Sequence, residues 1–299
     1  MLIDENLRTL IKLALSEDLG EHGDVTSLAT LSADSQIIGR ITAKAAGVIA
    51  GLPIVDEVYR ILESDRMLES DRMLSPAVTV RHFISDGDAV EVGTVVCEVT
   101  GPARDVLAGE RVSLNFLQRL SGIATLTSHF VEAVSAAGGK SRILDTRKTT
   151  PGYRLLEKYA VRMGGGENHR TGLFDMVLIK DNHIDAAGGV KEAITAALDY
   201  TQQQPLPIVV EVKNESELRT ALEFPISRVL LDNMTLDEMR NAVAITEGRV
   251  PLEASGNMTL DRVGAVAATG VDYISVGALT HSAPALDLSM RLSKAQVSS

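Results

Sequence analysis

From residue 142 onward the chain alternates in a way that few folds can accommodate. Short apolar runs recur near Ile143, Met176, Ile208, Val229, Pro251 and Tyr273. Helical patterns fill the gaps, over 154–163, 189–199, 216–222, 236–245 and 260–268. Strand, helix, strand at intervals of roughly 20–35 residues reads as successive βα units and a parallel sheet. At least six such units favour a closed or nearly closed α/β barrel over an open sheet. The residues available suit that core: 45% of the chain is hydrophobic and only 3% aromatic. Val, Ile, Leu and Ala dominate, as buried parallel strands and their covering helices require.

The chain before this region reads as a smaller α+β unit. Leu7, Leu10, Ile11, Ala14 and Leu15 recur at helical spacing, with Gly20 as a stop. Asp24 or Thr26 can cap the segment after the turn at 22–27. A strand-like stretch covers 37–49, Pro53 opens a helix, and strand-like runs at 78–83 and 95–99 flank turn-rich sequence. A helical pattern then fills 108–137, with a second run from Ala124. Residues 1–108 are expected to form this first domain and 109–284 the barrel. The period-two pattern at 285–292 predicts a strand that returns to the first domain's sheet. A tandem repeat, ESDRML at 63–68 and again at 69–74, fits neither period and reads as a longer surface connection.

Charge is concentrated where the strands end. Residues 142–180 hold eight Lys/Arg and four Asp/Glu, a local +4 in a chain of net −11. The remaining residues therefore sum to −15. A positive patch in an acidic protein points to an anionic small molecule, whereas nucleic acid calls for an extended basic surface. Every apolar run ends in polar residues or glycine: Arg147-Lys148, Lys180-Asp181-Asn182-His183, Glu211, Asp232-Asn233, Glu253-Ser255-Gly256-Asn257 and Gly277. In α/β barrels that rim is where chemistry occurs. The last two units match a phosphate cradle, with backbone N–H groups and a helix N-terminus facing an anion.

Other readings fall away. The single cysteine, Cys97, excludes a disulfide framework and lies in an apolar run that suits a buried, inert thiol. His169, His183, Glu167 and Asp181 follow no standard metal-ligand spacing. No signal peptide or membrane-spanning run is evident, so a cytoplasmic protein is expected, with no membrane or nucleic-acid partner. Arg111, read by itself, is a solvated helix charge.

Seven stretches together resemble the quinolinate phosphoribosyltransferase family, the decarboxylating enzymes of NAD biosynthesis. They are Gly109-Glu110-Arg111 with Ser113-Leu114-Asn115, Asp145-Thr146-Arg147-Lys148-Thr149, Gly164-Gly165-Gly166 with Asn168-His169-Arg170, Leu178-Ile179-Lys180 with Asn182-His183, Leu231-Asp232-Asn233, Ala254-Ser255-Gly256, and Ser275-Val276-Gly277-Ala278. The resemblance implies an N-terminal α/β sandwich, an incomplete α/β barrel and at least a homodimer with shared active sites. It implies transfer of a phosphoribosyl group from phosphoribosyl pyrophosphate to quinolinate with decarboxylation and Mg²⁺, giving nicotinate mononucleotide. Carried over by position, Arg147, His169, Arg170 and Lys180 would hold the quinolinate carboxylates, with Thr146 beside them. Arg111 would reach that pocket from a neighbouring subunit. Lys148 would lie near the pyrophosphate, and Glu211 and Asp232 would face the ribose hydroxyls and Mg²⁺; these three form the catalytic set. Ser255, Gly256, Asn257, Val276, Gly277 and Ala278 would cradle the 5′-phosphate. Val209 stands where many members carry a further acid, and Asn257 where glycine is frequent. The rivals are a related phosphoribosyltransferase acting on another acidic heterocycle and a non-catalytic nucleotide-sensing barrel. Carboxylates placed for an oxocarbenium ion count against the sensor.

Overall fold

A computed structural model describes residues 3–69 and 77–294. The chain forms two compact units, one of residues 1–125 with 284–299 and one of residues 126–283.

The first unit opens with helix α1 (Glu5–Leu19), capped where Asp4 accepts the Leu7 N–H at 2.9 Å and ended by Gly20 at φ 53°. Leu7, Ile11 and Leu15 form its buried stripe. Helix α2 (Val25–Thr30) is capped by Asp24 through the Ser27 N–H. Then come β1 (Gln36–Ala43), β2 (Gly47–Val48), α3 (Leu52–Glu69), β3 (Thr79–His82), β4 (Ala89–Val90) and β5 (Val95–Pro102). The first ESDRML copy is therefore helix rather than a connection. It contains no glycine or proline, and Glu, Met, Leu and Arg are good helix formers, so α3 runs through it. The second copy, from residue 70, lies outside the described residues.

Helix α4 (Ala103–Ala136) follows β5 directly and is continuous for 34 residues. The expected boundary at 108 and the expected second helical run from Ala124 are both superseded. The units divide within α4, after Thr125. Its glycines mark close packing rather than breaks. A Cβ at Gly109 would sit 2.5 Å from the Tyr59 ring, and one at Gly122 would sit 1.9 Å from the Pro284 carbonyl oxygen.

In the second unit the strands are β6 (Arg142–Leu144), β7 (Val177–Ile179), β8 (Ile208–Val212), β9 (Arg228–Asp232), β10 (Leu252–Ser255) and β11 (Tyr273–Ser275). Helices α5 (Arg154–Met163), α6 (Asp181–Ala187), α7 (Val190–Thr201), α8 (Glu215–Ala221), α9 (Leu236–Thr246), α10 (Leu260–Ala267) and the short α11 (Ala278–His281) intervene. All strand pairs are parallel, in the order β6-β11-β10-β9-β8-β7. The first strand lies beside the last, as in a barrel, but β6 and β7 are the two edges, so the ring is incomplete. A single parallel bridge, Leu144 to Glu167, lines the β6 edge. Every residue of β8 is buried, as a strand covered on both faces requires.

Strand β12 (Leu288–Lys294) belongs to the first unit, antiparallel to β1 with Leu288 opposite Ala43. It completes a four-stranded sheet, β12-β1-β5-β3. Ile41, Val96, Val99, Leu114 and Leu117 pack its core, with Cys97 among them. Burial pushes the Cys97 thiol up to about 12, so it stays protonated and unreactive at neutral pH. Among the described residues no helix is long and apolar enough to cross a membrane.

Candidate active site

The C-terminal ends of the second unit's strands surround a basin of about 790 Å³, a volume suited to small-molecule substrates. Thirteen of the residues singled out from the sequence line it: Thr146, Arg147, Lys148, His169, Arg170, Lys180, Glu211, Asp232, Ser255, Gly256, Asn257, Gly277 and Ala278. Two do not. Arg111 is exposed on α4 in the first unit. Val276 is fully buried and its N–H donates to Leu144 O at 2.9 Å, so it contributes packing instead of a phosphate contact.

Helix α5 ties the loops on the basin's cationic side together. Glu157 accepts from the backbone and hydroxyl of Thr150 at 3.1 and 2.9 Å. Arg154 donates to the Thr149 hydroxyl and to Thr171 O. Lys158 donates to Asp145 and, at 3.0 Å, to His169 O. Asp145 also accepts the Asn168 amide at 2.6 Å and the His169 N–H at 2.8 Å. The loop carrying Arg147 and Lys148 is thereby locked to the segment carrying His169 and Arg170. Burial presses the Lys158 amine down and the Asp145 carboxyl up. Each of these bonds is nonetheless donated to the Asp145 carboxyl, which suits the carboxylate.

These loops deliver cations without neutralising them. Among the described residues, Arg147 and Lys148 have no ion-pair partner. Burial, and then the nearby charge of Arg147, hold the Arg170 guanidinium below its ordinary value. Lys180 is different: its Nζ donates to Glu211 Oε2 at 2.6 Å. The resemblance implies a lysine that holds substrate carboxylate, and the same amine also pairs with the acid on the next strand.

The opposite wall is backbone. Asn233, at φ 53°, donates its side-chain amide to both Asp232 oxygens at 3.0 Å. Its N–H binds Ser255 O at 3.0 Å. Gly256 is at φ 101°, and a Cβ there would lie 2.1 Å from Asn233 Oδ1. Asn257 has φ 49°, a left-handed conformation that asparagine and glycine tolerate best. Arg262 fastens the two loops through Gly256 O and Met234 O, both at 3.1 Å. The N–H groups of Gly256, Asn257 and Gly277 are committed to no partner among the described residues. Val209 is buried one strand repeat below Glu211, on the same face.

The sequence placed Glu253 on the rim and Asp145 in a motif without giving either a role, and it pointed to neither Met258, Thr259 and His281 as basin residues nor Lys158 and Arg262 as framework. Glu253 had a legible signal: a carboxylate between Leu252 and Ala254 in a buried strand must have partners. It is fully buried, bonded to Arg228 Nη1 at 2.8 Å and to the Ser275 hydroxyl, and 3.4 Å from His169 Nε2. Burial raises its carboxyl, but its interactions with His169, first of all, and then with Ser275 and Arg228 outweigh that and hold it below the usual range.

Comparison with known proteins agrees along the whole chain. Residues 24–121 match the family model described as quinolinate phosphoribosyl transferase, N-terminal domain, and residues 123–291 the corresponding C-terminal domain. A Nicotiana tabacum protein named quinolinate phosphoribosyltransferase [decarboxylating] 2b, mitochondrial, is 42% identical over 96% of this chain and 82% of its own. A Bacillus subtilis protein named probable nicotinate-nucleotide pyrophosphorylase [carboxylating] is 41% identical over 95% of this chain and 92% of its own. The crystal structure of NadC from Streptococcus pyogenes superposes with a TM-score of 0.90 at 37% identity, covering 99% of both chains.

Proposed function

The chain belongs to the quinolinate phosphoribosyltransferase family and is a phosphoribosyltransferase of NAD biosynthesis; from that premise we propose how the basin divides the reaction. Arg147 and Arg170, with Lys180, take the two carboxylates of quinolinate. The observation that carries this is the pair of arginines: two guanidinium groups close enough to feel each other, neither in an ion pair among the described residues. Such an arrangement calls for an anion between them.

The 5′-phosphate of phosphoribosyl pyrophosphate lies on the free N–H groups of Gly256, Asn257 and Gly277. Lys148 faces the pyrophosphate. Glu211 and Asp232 flank the ribose, where their charges stabilise the oxocarbenium character that develops as pyrophosphate leaves. The quinolinate nitrogen then bonds to the anomeric carbon. With that nitrogen quaternised, the C2–carboxylate bond breaks to release carbon dioxide, its electron pair stays on C2 stabilised by the adjacent cationic nitrogen, and C2 then takes a proton from water to give nicotinate mononucleotide.

Glu211 and Asp232 also offer the oxygen donors that Mg²⁺ prefers. Among the described residues no cluster of three or more acidic, His or Cys ligands stands ready for a metal. Two carboxylates with substrate phosphate oxygens are the usual Mg²⁺ arrangement, so these residues fit an ion that arrives with the pyrophosphate. Bound there, Mg²⁺ offsets the charge of the leaving group.

The working enzyme on this reading is at least a homodimer in which Arg111 serves a neighbouring subunit's basin, and it acts in the cytoplasm. Incubation with quinolinate, phosphoribosyl pyrophosphate and Mg²⁺ should release carbon dioxide. Arg147→Ala should raise the quinolinate KM while leaving that for phosphoribosyl pyrophosphate unchanged. Equal losses for both substrates would refute the division of the basin.

A further inference from the structure

His169 is held by both of its ring nitrogens. Nδ1 accepts the Arg170 backbone N–H at 2.7 Å. Nε2 lies 3.4 Å from Glu253 Oε2. In a neutral imidazole one nitrogen donates and the other accepts, and an accepting nitrogen carries no proton. The ring hydrogen therefore belongs on Nε2, directed at Glu253. A proton on Nδ1 would set two N–H donors face to face.

The surrounding charges agree. Glu253 is answered by Arg228 from β9, whose Nη1 is 2.8 Å from the same Oε2, and its other oxygen accepts the Ser275 hydroxyl from β11. That pair is balanced without a charge on the ring. The His169 backbone is already pinned, its N–H by Asp145 and its carbonyl by Lys158 from α5. The ring is the part left for Glu253 to orient. In turn the ring fixes the N–H of Arg170, whose guanidinium lines the basin.

We infer that Glu253 is a positioning residue for the quinolinate side of the site, acting through His169 as a neutral relay with its proton on Nε2. Glu253 sets the ring, the ring sets the Arg170 backbone, and Arg170 meets the substrate. His169 thus works by hydrogen bonding and not as one of the cations that balance the dianion. Buried partners that orient a ligand-binding group commonly matter nearly as much as the group itself. The inference rests on the reading that quinolinate lies against Arg147 and Arg170.

The first test uses the wild-type full-length protein, labelled with ¹⁵N at its histidines. There are six histidines, and His169→Gln identifies the signal of interest. Long-range ¹H–¹⁵N correlation at neutral pH should show a neutral ring protonated at Nε2. A ring protonated at Nδ1, or an imidazolium pattern, overturns the inference. The second test is Glu253→Gln, which keeps the size and removes the charge. It should raise the quinolinate KM about tenfold, the order expected when a charge-assisted hydrogen bond is lost. The phosphoribosyl pyrophosphate KM should not change, and the His169 ring should show a mixture of tautomers. A folded Glu253→Gln protein with the wild-type quinolinate KM overturns the inference. If that variant does not fold, the wild-type spectrum decides. Arg170→Ala separates this inference from the reading it rests on. An unchanged quinolinate KM there would remove the assignment of the basin and leave the tautomer result standing.

Discussion

The Lys180–Glu211 pair makes a prediction that differs from what either residue suggests alone. Read as a carboxylate partner only, Lys180 should affect quinolinate and nothing else. In the structure its Nζ is 2.6 Å from Glu211 Oε2, with the lysine side chain 44% exposed and the glutamate 8%. Lys180→Met therefore removes a cation from the basin and also strands a buried carboxylate beside the proposed ribose site. A lost charge-assisted bond to quinolinate is worth roughly 1.5–3 kcal/mol, or about ten- to a hundredfold in affinity. The ion pair itself is worth less, because solvent screens the exposed ammonium: about 1 kcal/mol, or about fivefold on the phosphoribosyl pyrophosphate side. Calorimetric titration of each substrate into wild type, Lys180→Met, Glu211→Gln and the double variant measures both terms. The double variant should fall short of additivity by about 1 kcal/mol. Additive losses, or a Lys180→Met loss confined to quinolinate, would show that the pair does not couple the two halves of the site.

Other perturbations probe the framework, the cradle, the subunit boundary and the duplicated segment. Lys158→Met leaves Asp145 buried and unpaired and should destabilise the protein by about 3–5 kcal/mol in chemical denaturation; a loss below about 1 kcal/mol would mean that solvent or another group answers Asp145. Gly256→Ala forces a Cβ into Asn233 Oδ1 at a φ of 101°, so phosphoribosyl pyrophosphate binding should weaken far more than quinolinate binding, and unchanged kinetics would count against the cradle. Arg111→Ala and Lys148→Ala should each be nearly inactive, yet subunit exchange between them should restore about a quarter of wild-type activity in an equal mixture, since half the dimers are mixed and each has one intact site; no recovery despite proven exchange would place Arg111 in its own subunit's chemistry. Deletion of residues 69–74 should leave activity intact, because one ESDRML copy then remains to finish α3 and reach β3; lost activity in a folded deletion protein would show that the duplicate serves the site.

The sequence by itself determined the six barrel strands, five of the helices between them and the rim on which the chemistry sits. That information is local. An apolar run between turn signals makes a buried strand, and the residue that ends it stands at the barrel mouth whatever its neighbours are. Asp24, Gly20 and Pro53 are legible for the same reason, since a cap or stop acts within a few residues. What the tertiary structure decided is which rim and core residues face one another. Lys180 meets Glu211 because β7 pairs with β8, and Glu253 meets Ser275 and Arg228 because β10 lies between β11 and β9. The course of α4 across 108 and 124 was decided the same way, its two glycines being read by Tyr59 and the Pro284 carbonyl, residues distant in the chain. Hydrophobic periodicity fixes elements, but strand order and register fix partners, and a buried charge acquires its meaning only from the partner it is given.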